Sequence, residues 1–331
     1  AMTGAGTVLF LARGGVLDGQ QQQVLQLASA LPASGRPTVV AVDDTGPLLD
    51  ELRARGIPAE CFPMRSWRSP LRFPAAWFDA HNLLRFARRN NASLVHAHDH
   101  WRLPHARFVA KRLDIPYVAH IRGPISASHA RKYRLAEADA VIAIAARYVD
   151  ALRAAGGRPE RIHLISDSVD LERFSPADLA ARHGRAGERQ TTVAIVGRID
   201  RFKRVVEFVD LVAALPPALR DNTRFLIVGE EFELGYVGAV KRRIRHHHLG
   251  DRFIFTGRVD PQAMPATLAE VDILVTLSGG SVMFEAMAME TAVLSIRDDG
   301  QHSRYTIDGE TAVCADLGGA AASLAGLIAD P

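Results

Sequence analysis

The chain is short of cysteine, of lysine and of long apolar runs, and each shortage excludes something. Only two cysteines occur in 331 residues. Cys61 and Cys314 stand in different halves, so neither a disulfide framework nor a zinc cluster is expected, which suits a reducing cytoplasm. No run of about 18 apolar residues is present, so no membrane-spanning helix is expected. The start, Ala1-Met2-Thr3-Gly4, shows no basic patch followed by an apolar core and is not read as a signal peptide. Aromatics make up 7% of the chain, and only four of its 40 basic residues are lysine. These are Lys111, Lys132, Lys203 and Lys241, so the placement of each carries more information than that of an arginine.

What remains is ordinary globular composition, 48% hydrophobic and 23% charged, at a length that suits two domains. The net charge of +3 is too mild to argue for a nucleic-acid partner. It fits an anionic substrate, or a peripheral encounter with the acidic inner face of a membrane.

Short apolar runs alternate with helix-like stretches. Thr7–Ala12, Thr38–Val42, Ser93–Ala97, Pro116–His120 and Ala140–Ile144 read as strands, and Gln20–Leu31 as a helix. Continuous apolar strands separated by helices predict a parallel sheet covered on both faces. The pattern lapses over Leu171–Gln190 and restarts at Thr191–Gly197, Arg224–Gly229, Phe253–Gly257 and Ile273–Leu277. The expected organisation is an α/β unit over 1–167, a linker over 168–190 and a second α/β unit over 191–331. Each is a doubly wound Rossmann-like domain, and the two face each other across a cleft. Ligands in such sheets bind outside the carboxyl ends of the strands.

Two motifs in the second half carry chemistry. Val196-Gly197-Arg198-Ile199-Asp200-Arg201-Phe202-Lys203 places an arginine and a lysine just past a strand end, where two cations can stabilise a departing diphosphate. A solvated basic loop opening a helix would look the same. Ser278-Gly279-Gly280-Ser281 leads into an apolar helix, so its backbone N–H groups and the helix dipole favour phosphate. Glu285 follows on that helix, where a carboxylate can take two hydrogen bonds from a ribose diol. A glutamate that merely complements the dipole is the plainer reading.

In order along the chain, these and other segments resemble the retaining GT-B glycosyltransferases of family 4. The further segments are Gly14-Gly15, Leu94-Val95-His96-Ala97-His98, His120-Ile121-Arg122-Gly123, Ala138–Ala143 and Ile165–Asp170 with Phe174. To these are added Phe255-Thr256-Gly257-Arg258-Val259, Glu285-Ala286-Met287-Ala288 and Asp308-Gly309. The resemblance implies that Arg198 and Lys203 hold the diphosphate and Glu285 the ribose. It implies that Gly257, Arg258 and Val259 meet the base and His120 the donor hexose. Gly15 and Gly197 allow close backbone approach. It implies a nucleotide-sugar substrate, UDP-sugar by default, with no cofactor and no metal ion, and same-face attack that keeps the anomeric configuration. His98, Arg122, Trp67 and Arg72 are read as the acceptor side; the acceptor and the oligomeric state are not readable.

The chain departs from the family in places. Leu277 stands where a first glutamate is usual, with Ser278 or Ser281 as substitute groups. Glu290 and Arg204 replace glycines, Ala292 replaces a proline, and crossing helices are expected beyond Pro331. His246-His247-His248 reads as a solvated face and not a metal tract. His96, His98, His100 and His105 cluster at one strand end, where ordinary packing competes with a role at the site rim. Basic and aromatic residues interleave over Arg65–Arg89, which suits an acidic membrane surface or a sugar-stacking face, against an ordinary amphipathic helix.

Three rival readings share some of these features. Asp43 and Asp44 would suit a nicotinamide dehydrogenase, but the loop Ala12–Leu17 holds no GxGxxG. A sugar-nucleotide epimerase would share the fold and the donor site. A non-catalytic donor-binding partner would explain Leu277.

Overall fold

The computed structural model describes residues 6–66, 73–175, 190–296 and 307–330. The chain divides into two compact units, Ala1–Asp167 and Ser168–Pro331.

The first unit is built on a seven-stranded, all-parallel sheet. Its strands are β1 (Thr7–Ala12), β2 (Thr38–Val42), β3 (Ala59–Cys61), β4 (Ala92–Ala97), β5 (Tyr117–Ile121), β6 (Ala140–Ala143) and β7 (Ile162–Leu164). The order across the sheet is β3-β2-β1-β4-β5-β6-β7. Chain direction across the sheet reverses between β1 and β4. In such an open sheet the loops after these two strands diverge and leave a crevice at their carboxyl ends. The strand cores are buried on both faces; all five residues of β2 are buried. This is why they read as continuous apolar runs and not as alternating ones. β3 and β7 are three-residue edge strands, half-buried or exposed, and carry no comparable apolar signal.

The second unit repeats the design with six parallel strands. They are β8 (Thr191–Val196), β9 (Thr223–Val228), β10 (Phe253–Gly257), β11 (Ile273–Thr276), β12 (Ala292–Ile296) and β13 (Val313–Ala315), in the order β10-β9-β8-β11-β12-β13. Its reversal lies between β8 and β11. The expected pair of doubly wound α/β units is therefore present.

Short side-chain caps set the loops at these crevices. Asp18 accepts from the Gln20 N–H and starts the helix Gly19–Ala30. Asp99 accepts from the Arg102 N–H after β4, and Asp200 from the Lys203 N–H after β8. Each satisfies an N–H that a helix start would otherwise leave without a partner.

Candidate active site

In the second unit, the loop after β8 and the turn after β11 meet at the reversal point. Gly197 has φ +142°, and a Cβ there would lie 2.6 Å from Cε of Lys203. Gly229 has φ +148°, and a Cβ on it would fall 2.0 Å from the Gly197 carbonyl oxygen. Only glycine fits at either position. These two glycines let the β8 loop fold tightly, and the Lys203 side chain runs back across it. Its Nζ donates to the Gly279 carbonyl at 3.2 Å, and a Cβ on Gly280 would stand 3.2 Å from that same nitrogen. The ammonium is thereby fixed at the glycine turn that opens the helix Ser281–Ala288, which has no capping side chain of its own.

Arg198 is exposed and held from two sides. Asp200 pairs with its guanidinium at 3.5 Å, and the Phe232 ring lies 4.5 Å beneath it. Asp200 thus caps the turn and orients the arginine together. Both cations stand on the loop after β8, and Lys203 lies at the amides that open the helix Ser281–Ala288, a setting suited to a diphosphate. Ser278 and Gly279 are buried, and Ser281 and Glu285 half-buried, on the same turn and helix. Gly257 ends the edge strand β10, and its carbonyl accepts from the Gly229 N–H at 3.0 Å. Arg258 beside it is exposed, while Val259 packs on the apolar cluster beneath.

Leu277 does not face this crevice. It is 2% exposed and belongs to the core with Val275 and Leu294. The family's usual glutamate is thus replaced by a core residue. Glu290 and Arg204 both adopt left-handed backbone, with φ +53° and +58°. The glycines usual there are the residues best suited to that conformation.

The first unit presents a different chemistry. His96 on β4 pairs in register with Val118 on β5, so His120 lies two residues further along β5, on the same face. Nε2 of His96 and Nδ1 of His120 are 3.2 Å apart, and Arg122 Nη1 is 3.4 Å from Nε2 of His120. The Arg122 guanidinium can only donate, so Nε2 of His120 accepts and Nδ1 carries the proton. That proton is given to His96. Arg122 in turn pairs with Asp167 at 2.7 Å, with both side chains almost wholly buried. This contact is an ion pair and not a well-aligned hydrogen bond, since Asp167 Oδ1 lacks a hydrogen-bond donor of good geometry. Both ring nitrogens of His120 are therefore engaged inside the unit.

His98 differs. Its Nε2 donates to the Gln20 carbonyl at 3.0 Å, and its buried Nδ1 has no partner. Burial, and then the Arg122 charge, hold His96 down to about 4 and His98 and His120 well below the ordinary imidazole range. The three rings are neutral at physiological pH, and Nδ1 of His98 is a bare acceptor. Their ligand atoms lie within 4.8 Å of one another, but the buried Arg122 guanidinium beside them opposes a metal cation.

Gly14, more than Gly15, sets the loop after β1. A Cβ on Gly14 would meet the Asp44 carbonyl oxygen at 1.9 Å, whereas one on Gly15 would meet only the end of a side chain, at 3.3 Å. The Gly14 N–H donates to Asp43 at 2.9 Å, and Arg102 pairs with the same carboxylate. Asp43 is thus committed to the loop and not offered to a ribose. The sequence reading weighed His96 only as part of the histidine cluster and gave no role to Asp167, Gly229 or Phe232, nor to Gly14 beyond its motif. The glycines carried a local signal at strand ends, whereas nothing local pairs Asp167 with Arg122 or Phe232 with Arg198. Trp67 and Arg72 lie outside the described residues. Among the described residues no helix is long and apolar enough to cross a membrane.

Known proteins resemble this chain along almost all of its length. The family model described as Glycosyltransferase Family 4 matches residues 17–173, and that described as Glycosyl transferases group 1 matches residues 180–330. The curated 2-deoxystreptamine glucosyltransferase of Streptomyces kanamyceticus is 28% identical over 318 residues, 82% of this chain and 79% of that protein. The solved structure of Anabaena HepE with UDP and glucose has a TM-score of 0.80 at 22% identity, covering 98% of this chain and 89% of that one. Its complex with UDP-glucose gives 0.79 at 23% identity over the same shares. A glycosyltransferase from Rickettsia africae gives 0.77 at 16%, covering 98% of this chain and 87% of that one.

Proposed function

We propose, for a chain that belongs to the glycosyltransferases of family 4 and group 1, that it moves a hexose from a UDP-sugar to an acceptor hydroxyl with retention and without a metal ion. The observation that carries this reading is the placement of Lys203. Its ammonium sits at the Gly279 carbonyl beside Gly280, across the reversal point from the β8 loop that supplies Arg198. As the bond between the anomeric carbon and the diphosphate breaks, negative charge grows on the departing oxygen. Two fixed cations stabilise that charge without reorganising. They supply what a divalent ion supplies elsewhere. Glu285 then takes the ribose hydroxyls, and the backbone at Gly257–Val259 meets the base.

On the first unit, Nδ1 of His98 is an acceptor without a partner, but it is buried, so a sugar or acceptor hydroxyl reaches it only if the loop after β4 shifts. Both nitrogens of His120 are engaged, so it has no free nitrogen for the hexose. Retention rests on the family resemblance, with the departing phosphate taking the acceptor's proton on the face it leaves. Relatives whose names include glucose, UDP or UDP-glucose make UDP-glucose the first donor to try. With Leu277 in the core, no carboxylate from that position reaches the sugar, so selectivity among hexoses falls to Ser278, Ser281 and the backbone.

Calorimetric titration with UDP, GDP and ADP tests the base, and UDP release from UDP-sugars tests the transfer. UDP binding with release accelerated by an acceptor mixture is the expected result. Absence of UDP binding would overturn the diphosphate site.

A further inference from the structure

The charge of the first unit is unevenly placed. A groove of about 400 Å³ runs between the helix Leu103–Leu113 and the end of the helix Ala127–Lys132. It is lined by Arg107, Lys111, Arg112, Lys132 and Arg134, and by no acid. Five cations therefore line one groove in a chain whose net charge is +3. Glu137 nearby pairs with Arg107 at 3.1 Å and with Arg134 at 3.3 Å, which offsets one charge. Lys111 and Lys132, half of the chain's lysines, are exposed, and among the described residues neither has an ion-pair partner within 4.0 Å. Arg107 and Lys111 sit four apart on one helix, a like-charged pair that weakens the helix it stands on. Glu137 offsets the charge of Arg107, and Lys111 lies in the last turn of its helix, where it complements the dipole.

The aromatic residues narrow the choice of ligand. Phe108 and Tyr133 line the groove. Trp101, 59% exposed, packs edge-on against Tyr133 at 5.5 Å. On the other side His81 bridges Phe108 to Trp77, with ring distances of 5.0 and 3.8 Å. Trp77 is 47% exposed, and Phe73 and Phe78 on the same helix are about half exposed. Two solvent-facing indoles thus flank the basic groove. A small soluble anion has no use for such rings. The boundary between lipid headgroups and acyl chains does, because indole is apolar in body and polar at one end.

The basic and aromatic stretch Arg65–Arg89 had pointed the same way, but two of its arginines are neutralised. Arg65 pairs with Asp79 and Arg89 with Glu60. Arg85 and Arg88 on that helix are exposed without an ion-pair partner among the described residues, and the groove one helix further on adds five cations to theirs.

We infer that this groove docks the chain on a membrane surface through the phosphates of acidic lipids, with Trp101 and Trp77 entering the interface. The attachment is peripheral. It is independent of the diphosphate site, whose residues Arg198, Lys203, Gly279 and Gly280 belong to the second unit.

The test uses the full chain and sedimentation with vesicles of phosphatidylcholine, with and without phosphatidylglycerol. Binding should require phosphatidylglycerol and fade with added salt. Lys111→Ala/Lys132→Ala should lower the partition coefficient by about 25-fold, the product of two losses of about fivefold each. Trp101→Ala should weaken binding to a smaller degree. The denaturant transition read by tryptophan fluorescence should be unchanged in every variant, which shows that the first unit folds, and UDP binding should be unchanged as well. Equal binding to both vesicle types, no binding to either, or wild-type binding by the double lysine variant would each overturn the proposal. So would displacement by inorganic phosphate beyond that by chloride at equal ionic strength, which would identify a soluble phosphate ester as the ligand. Failure of UDP binding in the wild type would end the transferase reading and leave this one standing.

Discussion

The two units share one strand order around one reversal point, yet they present opposite chemistry there. In the second unit the site cations are exposed or half-buried; a glycine turn holds Lys203, and Asp200 with Phe232 holds Arg198. In the first unit the polar groups are buried and partnered with one another, from His96 through His120 and Arg122 to Asp167. Topology therefore decides where a ligand can sit, and the side chains decide which ligand. Solvated cations over helix N-terminal amides attract an anion. Neutral imidazoles, one with a bare acceptor nitrogen, suit hydroxyl groups.

The sharpest break in this comparison comes from removing one charge from each unit. Arg122→Ala leaves Asp167 buried without its partner and should destabilise the first unit by about 3–5 kcal/mol. All three tryptophans of the chain lie between residues 1 and 167, so denaturant unfolding followed by tryptophan fluorescence reads that unit. Lys203→Ala removes an exposed-site cation instead. It should cost about 10²–10³ in turnover, as loss of one transition-state donor commonly does, and little stability. A steady-state assay of UDP release checks it, and a Lys203→Ala enzyme as fast as wild type would refute the assignment. Arg198→Ala should act in the same direction.

Acid should separate the units next. The folded values of His96 and His105 are lowered to about 4 by burial, below the ordinary 6.5 of the unfolded chain. The unfolded state then binds more protons as pH falls. The stabilising contribution is complete above about pH 6.5 and is lost as pH drops towards 4. By pH 5 each such histidine should have cost about 2 kcal/mol. The tryptophan-reported transition should move to lower denaturant between pH 7.5 and pH 5. A pH-independent transition would show that these rings are not buried and neutral.

The smallest effect lies in the second unit. Glu290→Gly relieves left-handed backbone at the end of the helix Ser281–Ala288 and should stabilise by about 1 kcal/mol. Arg204→Gly should gain less, because it also removes the 3.2 Å contact with Glu207. Differential scanning calorimetry reads both.

The central strands other than β12 were legible because burial on both faces leaves an uninterrupted apolar run. The edge strands β3 and β7 were not, because half their surface is wet and they are three residues long. Lys203 stood out as one of four lysines. Glu290 and Arg204 were visible as departures, but their left-handed backbone was not. His120 was expected to contact the hexose, and no sequence pattern could show that both its nitrogens are engaged by His96 and Arg122.

By itself the sequence determined two parallel α/β units and the glycine turns at their strand ends, because apolar runs and glycines act locally. Only the tertiary structure decided which polar groups are available. Partners such as Arg122 and Asp167, or Lys203 and Gly279, lie tens of residues apart in the chain. Whether a side chain is engaged or offered depends on what folding brings against it.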